Sequence, residues 1–216
     1  MMILWIILAL LVIFLLVLVV RALRFSPKPA EKAVPMPVEI DENAATEHMQ
    51  AILRCQTVSY RDSAMEDDAP FEAFPSLLQT LYPKLEAACG QERIGKRGLL
   101  YHWKGRKGDS PSVFMAHYDV VPAEASQWQK PPFEGIVEDG ILWGRGTLDT
   151  KGTLLSVMEA AEHLLGEGFV PEQDIYLCFG GDEEIGGGGA PATVAAISRR
   201  GALPALCLGR GVGAWR

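Results

Sequence analysis

Residues 139–152, D-G-I-L-W-G-R-G-T-L-D-T-K-G, constrain this chain more than any other stretch. Asp139-Gly140 asks for a two-residue hairpin turn, because both central positions of such a turn need positive φ. The apolar Ile141-Leu142-Trp143 is then the return strand, Gly144-Arg145-Gly146 breaks it, and Asp149 stands just before a helical pattern opening near Gly152. A carboxylate at such a junction is either a helix cap or a site residue, and taken alone the cap is the stronger reading. Its company overturns that. His117-Tyr118-Asp119 ends one apolar strand upstream, and Asp182-Glu183-Glu184 ends another downstream. Three strand ends thus deliver groups suited to metal binding or acid/base work.

The order of elements brings these ends to one place. A helix is expected over residues 44–54, with Ala45, Met49, Ile52 and Leu53 on one face. Residues 59–70 are polar and read as a loop. A second helical pattern covers residues 71–88; Pro75 fits its first turn, whereas Pro83 must bend or interrupt it. Residues 99–103 and 112–116 are expected as neighbouring strands across a Gly-Arg-Lys-Gly turn. Leu154, Met158, Ala161 and Leu165 line one face of a helix over 152–165, followed by a strand at 174–179, a helix at 191–200 and a strand at 204–208. Strands alternating with helices in this way predict an α/β sheet, largely parallel, with helices on both faces. Ligands bind such sheets at the carboxyl ends of the strands. His117, Asp149 and Glu183, 32 and 34 positions apart, are therefore expected to converge.

One imidazole among several carboxylates suits Zn²⁺, Mn²⁺ or Co²⁺ rather than a soft thiolate site. His117 is a good first ligand, and Asp119, two residues on in a strand, can reach its other ring nitrogen and fix the tautomer. The plainer alternative is a satisfied histidine at a strand end. Asp149 can hold two ions, one per oxygen. Adjacent Glu183 and Glu184 cannot point the same way if extended, so one can ligate while the other serves as general base. Two ions roughly 3.5–4 Å apart lower the pKa of a shared water to about 7. A solvated acidic loop would explain these charges, but not why they follow I-Y-L-C-F. The glycines at 180–181 and 186–189 let backbone approach closely. Gly144-Arg145-Gly146 is a weak dinucleotide signal, Glu159 and His163 read as an exposed pair on a helix, and His48 and His102 have no carboxylate neighbourhood in sequence.

Residues 1–20 are all apolar and long enough as a helix to cross a bilayer core. No charge precedes them and no small-x-small cleavage site follows, so a single-pass anchor in the lipid bilayer is expected over a cleaved signal peptide. Arg21, Arg24, Lys28 and Lys32 point the bulk of the chain to the cytoplasm. Residues 21–40 form a Pro-rich tether with prolines at 27, 29, 35 and 37. A net charge of −7 without a basic stripe argues against nucleic acid as a partner. Cys178 and Cys207 lie in apolar strand patterns and are expected as buried free thiols.

At these residues the chain resembles the M20 family of metallopeptidases, in particular the carboxypeptidase S branch with the N-acyl-amino-acid hydrolases. The blocks are M-A-H-Y-D-V-V-P (115–122), W-G-R-G-T-L-D-T-K-G (143–152) and F-G-G-D-E-E-I-G-G (179–187), with W-x-x-P-P-F (128–133) and S-R-R-G (198–201). The resemblance implies a zinc-exopeptidase-like fold over residues 41–208 and two Zn²⁺ ions per complete site, Co²⁺ or Mn²⁺ being the other candidates. It implies that His117 binds one ion, Asp149 bridges both, Glu184 binds the other, Glu183 is the general base and Asp119 orients His117. The implied reaction is hydrolysis of a peptide or N-acyl amino acid amide bond by a bridging hydroxide, with a homodimer possible in a full-length form. Family members continue past the last strand with D-E-G-G, whereas this chain reads Leu208-Gly209-Arg210-Gly211. GAC-GAG is embedded one base out of phase in GGA-CGA-GG, which implies a frameshift after Leu208, an aberrant tail over 209–216 and an incomplete sheet. The alternative is a non-catalytic membrane-anchored fragment.

Overall fold

The computed structural model describes residues 1–25 and 38–209. The chain divides into two units, residues 1–39 and 40–216. In the first, α1 (Met2–Arg24) has no buried residue and is long and apolar enough to cross a membrane. Its 23 residues rise about 34 Å, extending past the expected end at residue 20. A membrane anchor and a signal sequence both pass that test. Most of the expected tether, and the tail after Gly209, lie outside the described residues.

The second unit is built on a five-stranded sheet. Its elements are α2 (Glu42–Arg54), α3 (Asp68–Leu81), α4 (Pro83–Cys89), β1 (Gln91–Ile94), β2 (Gly98–Trp103), β3 (Lys107–His117), β4 (Ile136–Glu138), β5 (Ile141–Trp143), α5 (Lys151–Gly166), β6 (Gln173–Gly180), α6 (Gly189–Arg199) and β7 (Leu206–Gly209). The sheet order is β1-β2-β6-β3-β7. β6, β3 and β7 run parallel, while β2 is antiparallel to β6 and β1 to β2. The fold is thus mixed α/β with a parallel core.

Period-2 alternation divides the strands between two cores. Leu99, Tyr101, Trp103, Ala116, Leu177 and Phe179 face a cluster completed by Ile52 of α2, Phe74 and Leu78 of α3, Leu85 of α4, and Leu154 and Met158 of α5. Leu100, Val113, Tyr176 and Cys178 face the other side, against Ala196 and Ile197 of α6. Helices therefore cover both faces, as the sequence pattern predicts.

Three expectations are corrected. β2 and β3 are not neighbours, because β6 lies between them, pairing Leu99 with Phe179 on one side and Ala116 with Phe179 on the other. Residues 104–106 are not a hairpin turn but a crossover pressed on the start of β6, where the Gly105 N–H donates to Asp174 Oδ1 at 2.8 Å. The second helical pattern is two helices broken at Tyr82-Pro83, and Pro75 lies inside α3, which begins at Asp68. Cys207 is exposed on β7 at the sheet edge, whereas Cys178 is buried. The hairpin of the opening stretch forms as expected: β4 and β5 pair antiparallel, with φ of 52° at Asp139 and 76° at Gly140.

Candidate functional site

β3 and β6 are parallel neighbours, so their carboxyl ends lie side by side, with His117 opposite Gly180. The chain then extends β3 by hydrogen bonding: the Tyr118 N–H donates to Gly180 O at 2.8 Å. α5 is tied to the same place. The Thr150 hydroxyl accepts from His117 N–H and donates to His117 O, both at 2.9 Å. That hydroxyl is turned to β3 and does not cap its own helix, although Thr150 holds the N-cap position. Asp149 is therefore not the cap; its carboxylate faces His117.

The His117 side chain is 3% exposed and has different company at its two nitrogens. Nδ1 meets Asp119 O at 3.0 Å and Asp119 Oδ1 at 3.3 Å, both acceptors, so in the neutral ring the proton sits there. Nε2 faces Asp149 Oδ1 at 3.1 Å and Glu183 Oε2 at 3.6 Å. A neutral ring of that tautomer would point a lone pair at two carboxylates. A proton or a cation resolves the conflict. Burial by itself lowers the imidazole pKa, but hydrogen bonds to Asp119 and the charges of Asp119 and Glu183 outweigh it and raise the value to about 9.

Asp119 is fully buried and ties the strand ends together. Its Oδ1 accepts the Glu183 N–H and its Oδ2 the Glu184 N–H, each at 3.1 Å. These amides open the single turn Glu183–Ile185, which swings two carboxylates over the end of β6. Gly181 makes the approach possible, since any Cβ there would overlap the Tyr118 ring. Tyr118 in turn stacks on Phe74 with centroids 4.4 Å apart and donates to Arg97 O at 2.9 Å. Burial pushes the Glu184 carboxyl up; His117 opposes this, and Asp119, Asp149 and Glu183 add to it. Asp182 is raised by burial and ties the following loop by accepting the Gly189 N–H at 2.9 Å.

The structure thus brings His117, Asp119, Asp149 and Glu183 within contact distance, with Glu184 on the same turn and electrostatically coupled to them. The Asp149 side chain is 59% exposed, open to a ligand, and that of Glu183 is 21% exposed. Among the described residues no three His, Cys, Asp or Glu side chains already stand in a cation-holding arrangement. No second imidazole is seen here either: His48 pairs with Glu159 at 2.6 Å, His102 with Asp174 at 2.6 Å and His163 with Glu167 at 3.4 Å. The first two pairs correct the expectation that these histidines lack carboxylate neighbours and that Glu159 is an exposed helix residue.

Sequence reasoning missed the supports. Lys151 is fully buried, and its Nζ donates to Ile52 O at 3.0 Å and Cys55 O at 2.7 Å, the carbonyls at the end of α2. A cation suits a helix C-terminus and satisfies its free carbonyls. Burial lowers its pKa to about 8 against the pull of Cys55 and Asp119. Thr57, just before the stretch read as loop, and Ser59, its first residue, bind Tyr118 and Asp119.

Residues 113–212 match the family described as Peptidase family M20/M25/M40. The probable carboxypeptidase S-like 2 of Dictyostelium discoideum is 34% identical over 188 residues, 82% of this chain and 36% of that protein. The N-fatty-acyl-amino acid synthase/hydrolase PM20D1 of Bos taurus is 30% identical over 196 residues, 88% of this chain and 39% of that protein. The chain thus spans under two fifths of the length of these relatives. In fold it is similar to an M20 family metallo-carboxypeptidase of Sulfolobus solfataricus, with a TM-score of 0.60 and 21% identity over 81% of this chain and 38% of that one. Human carnosine dipeptidase 1 aligns with a TM-score of 0.55 and 19% identity over 73% and 36% of the two chains. With the family match, these relatives and this fold in agreement, the chain belongs to the M20 peptidase family.

Proposed function

We propose that this chain forms the cation-holding side of a hydrolase that cleaves a peptide or N-acyl amino acid amide bond. The observation that carries the reading is His117 Nε2 facing the carboxylates of Asp149 and Glu183 at 3.1 and 3.6 Å, while Asp119 occupies Nδ1. An imidazole with a fixed outward lone pair, beside open carboxylates, is a donor set for Zn²⁺ or a similar divalent ion. His117 would hold one ion, Asp149 would bridge, and Glu184 would hold a second. Such ions, when bound, polarise a carbonyl and acidify a water.

The remaining work falls to the chain's own groups. Asp119 holds the imidazole in one tautomer and, through two amides, fixes the turn that carries Glu183 and Glu184. Glu183, at the site and partly open to solvent, takes the proton from an attacking water as general base and returns it to the leaving nitrogen. The relatives' printed names, a probable carboxypeptidase S-like protein and an N-fatty-acyl-amino acid synthase/hydrolase, support a peptide or N-acyl amino acid as the substrate class. We further propose that α1 anchors the protein in a bilayer.

A second reading has its own support. Without a second imidazole among the described residues, the chain would bind a cation without turnover. Zinc titration and hydrolysis of an N-acyl amino acid, measured on the full chain in detergent and on Glu183→Gln, separate the two. Turnover that Glu183→Gln abolishes supports the first; saturable zinc binding without turnover supports the second. Absence of zinc binding overturns both.

A further inference from the structure

The segment after α2 is bridged to the chain just past the end of β3. Val58 and Val120 form a parallel bridge; the Ser59 N–H donates to Val120 O at 3.0 Å and the Val120 N–H to Thr57 O at 2.9 Å. The Thr57 hydroxyl donates to Tyr118 O at 2.5 Å. Residues 57–59 therefore grip the backbone on both sides of Asp119. The side-chain contact lies at the centre of this grip. Ser59, 3% exposed, donates its hydroxyl to Asp119 Oδ2 at 2.9 Å.

Each Asp119 oxygen now has two neighbours. Oδ1 takes the Glu183 amide and stands 3.3 Å from His117 Nδ1; Oδ2 takes the Glu184 amide and the Ser59 hydroxyl. The two amides come from one turn, so they move together. Ser59 is the contact that ties the carboxylate to a different element. Together with the two amides it restrains rotation about the Cβ–Cγ bond, and so bears on whether Oδ1 stays turned to the imidazole. Without it Oδ2 would keep the Glu184 amide alone, and nothing outside that turn would hold the carboxylate plane.

We infer that Ser59 is a positioning residue, whose hydroxyl sets the Asp119 carboxylate and, through it, the orientation of the His117 ring and the Glu183–Glu184 turn. This rests on the reading of His117 as a cation ligand only for its consequence, not for its geometry. Thr57 holds the segment in place through its own carbonyl and its hydroxyl, both on main-chain atoms, whereas Ser59 acts on the carboxylate itself.

The test compares Ser59→Ala, Ser59→Val and Ser59→Thr in the full chain without added metal. Valine and threonine have the same shape and strand preference, so the pair isolates the hydroxyl even if alanine fails to fold. The readout is the His117 Nδ1–H resonance at pH 7, assigned by its loss in His117→Gln. The expected result is a resonance that shifts or broadens in Ser59→Val and returns in Ser59→Thr. With zinc added, affinity should fall about tenfold in Ser59→Val and recover in Ser59→Thr. A wild-type resonance in Ser59→Val, or identical behaviour of the valine and threonine variants, overturns the inference. A hydroxyl-dependent resonance in a chain that binds no zinc would keep the positioning role and remove the cation-site reading instead.

Discussion

His117 Nδ1 lies 3.0 Å from the main-chain oxygen and 3.3 Å from the carboxylate of the same residue, Asp119, two positions further along the strand extension. One residue thus supplies both acceptors that commit this nitrogen to carrying a proton, and the commitment turns the lone pair of Nε2 toward Asp149. Replacing the side chain alone leaves the main-chain acceptor in place. Asp119→Ala is therefore expected to weaken zinc binding about 10–100-fold without abolishing it, as measured by calorimetric titration. The same variant frees the Glu183 and Glu184 amides, so it should also lower the unfolding midpoint.

The raised imidazole of His117 has a consequence for the cation-free chain. Its folded value of about 9 lies above the reference 6.5, so the unfolded chain releases this proton first as pH rises. The stabilisation is complete below about 6.5 and is lost as pH climbs through about 9, a change of at most about 3 kcal/mol. Urea titrations at pH 6 and pH 9 should show this loss, and His117→Gln should remove its share, leaving the opposite, stabilising trend of Lys151, whose folded value of about 8 lies below the usual 10.5.

Arg97 predicts the opposite pH dependence at the acid end. Its guanidinium is buried, lies 3.6 Å from the centroid of Phe71, and bonds Glu66 through both terminal nitrogens at 3.2 and 2.8 Å. The hydrogen bonds from Arg97 hold the Glu66 carboxyl below its usual value, against burial. This contribution is whole above about 4.5 and is lost as pH falls through the lower folded value. Glu66→Gln leaves a buried cation with Asp68 alone and is expected to cost about 3 kcal/mol in urea unfolding, at the lower end for a broken buried pair.

Lys151 joins the start of α5 to the end of α2 across 99 and 96 positions of sequence. Lys151→Met keeps the stem but takes the ammonium donor from Ile52 O and Cys55 O, of which Cys55 O keeps the Thr57 N–H at 2.9 Å. A loss of about 2–3 kcal/mol is expected, with earlier hydrogen exchange in the last turn of α2.

Gly181→Ala tests the packing beneath the acidic turn. The added methyl overlaps the Tyr118 ring, which is held by Phe74 and Arg97 and cannot yield. The turn must move instead, and the expected result is weaker zinc binding with a smaller change in the unfolding midpoint. Gly180→Ala, where a Cβ meets nothing within 4 Å, is the matching control.

The grouping of the candidate site was legible because its residues sit where local patterns end. An apolar strand followed by His117, a hairpin signal followed by Asp149, and another apolar strand followed by Glu183 can each be read in a short window. Strand order was not legible in that way: β6 joins β2 and β3 through pairings more than 60 positions apart, and nothing in residues 99–116 announces an inserted strand. β1 was missed because Gln91-Glu92-Arg93-Ile94 has almost no apolar alternation; it pairs with β2 as an edge. Ser59 and Lys151 escaped for a related reason. Their partners, Asp119 and the end of α2, lie 60 or more residues away, and a buried serine or lysine looks like an exposed one until the fold supplies the acceptor.

The central claim is that His117 and Asp149 share a divalent cation. Calorimetric titration of the full chain with zinc at pH 7, beside His117→Ala and Asp149→Ala, tests it most directly. Saturable binding in the parent chain, lost in both variants and accompanied by proton release, is the predicted result. Binding that survives unchanged in either variant, or none in the parent, would contradict it.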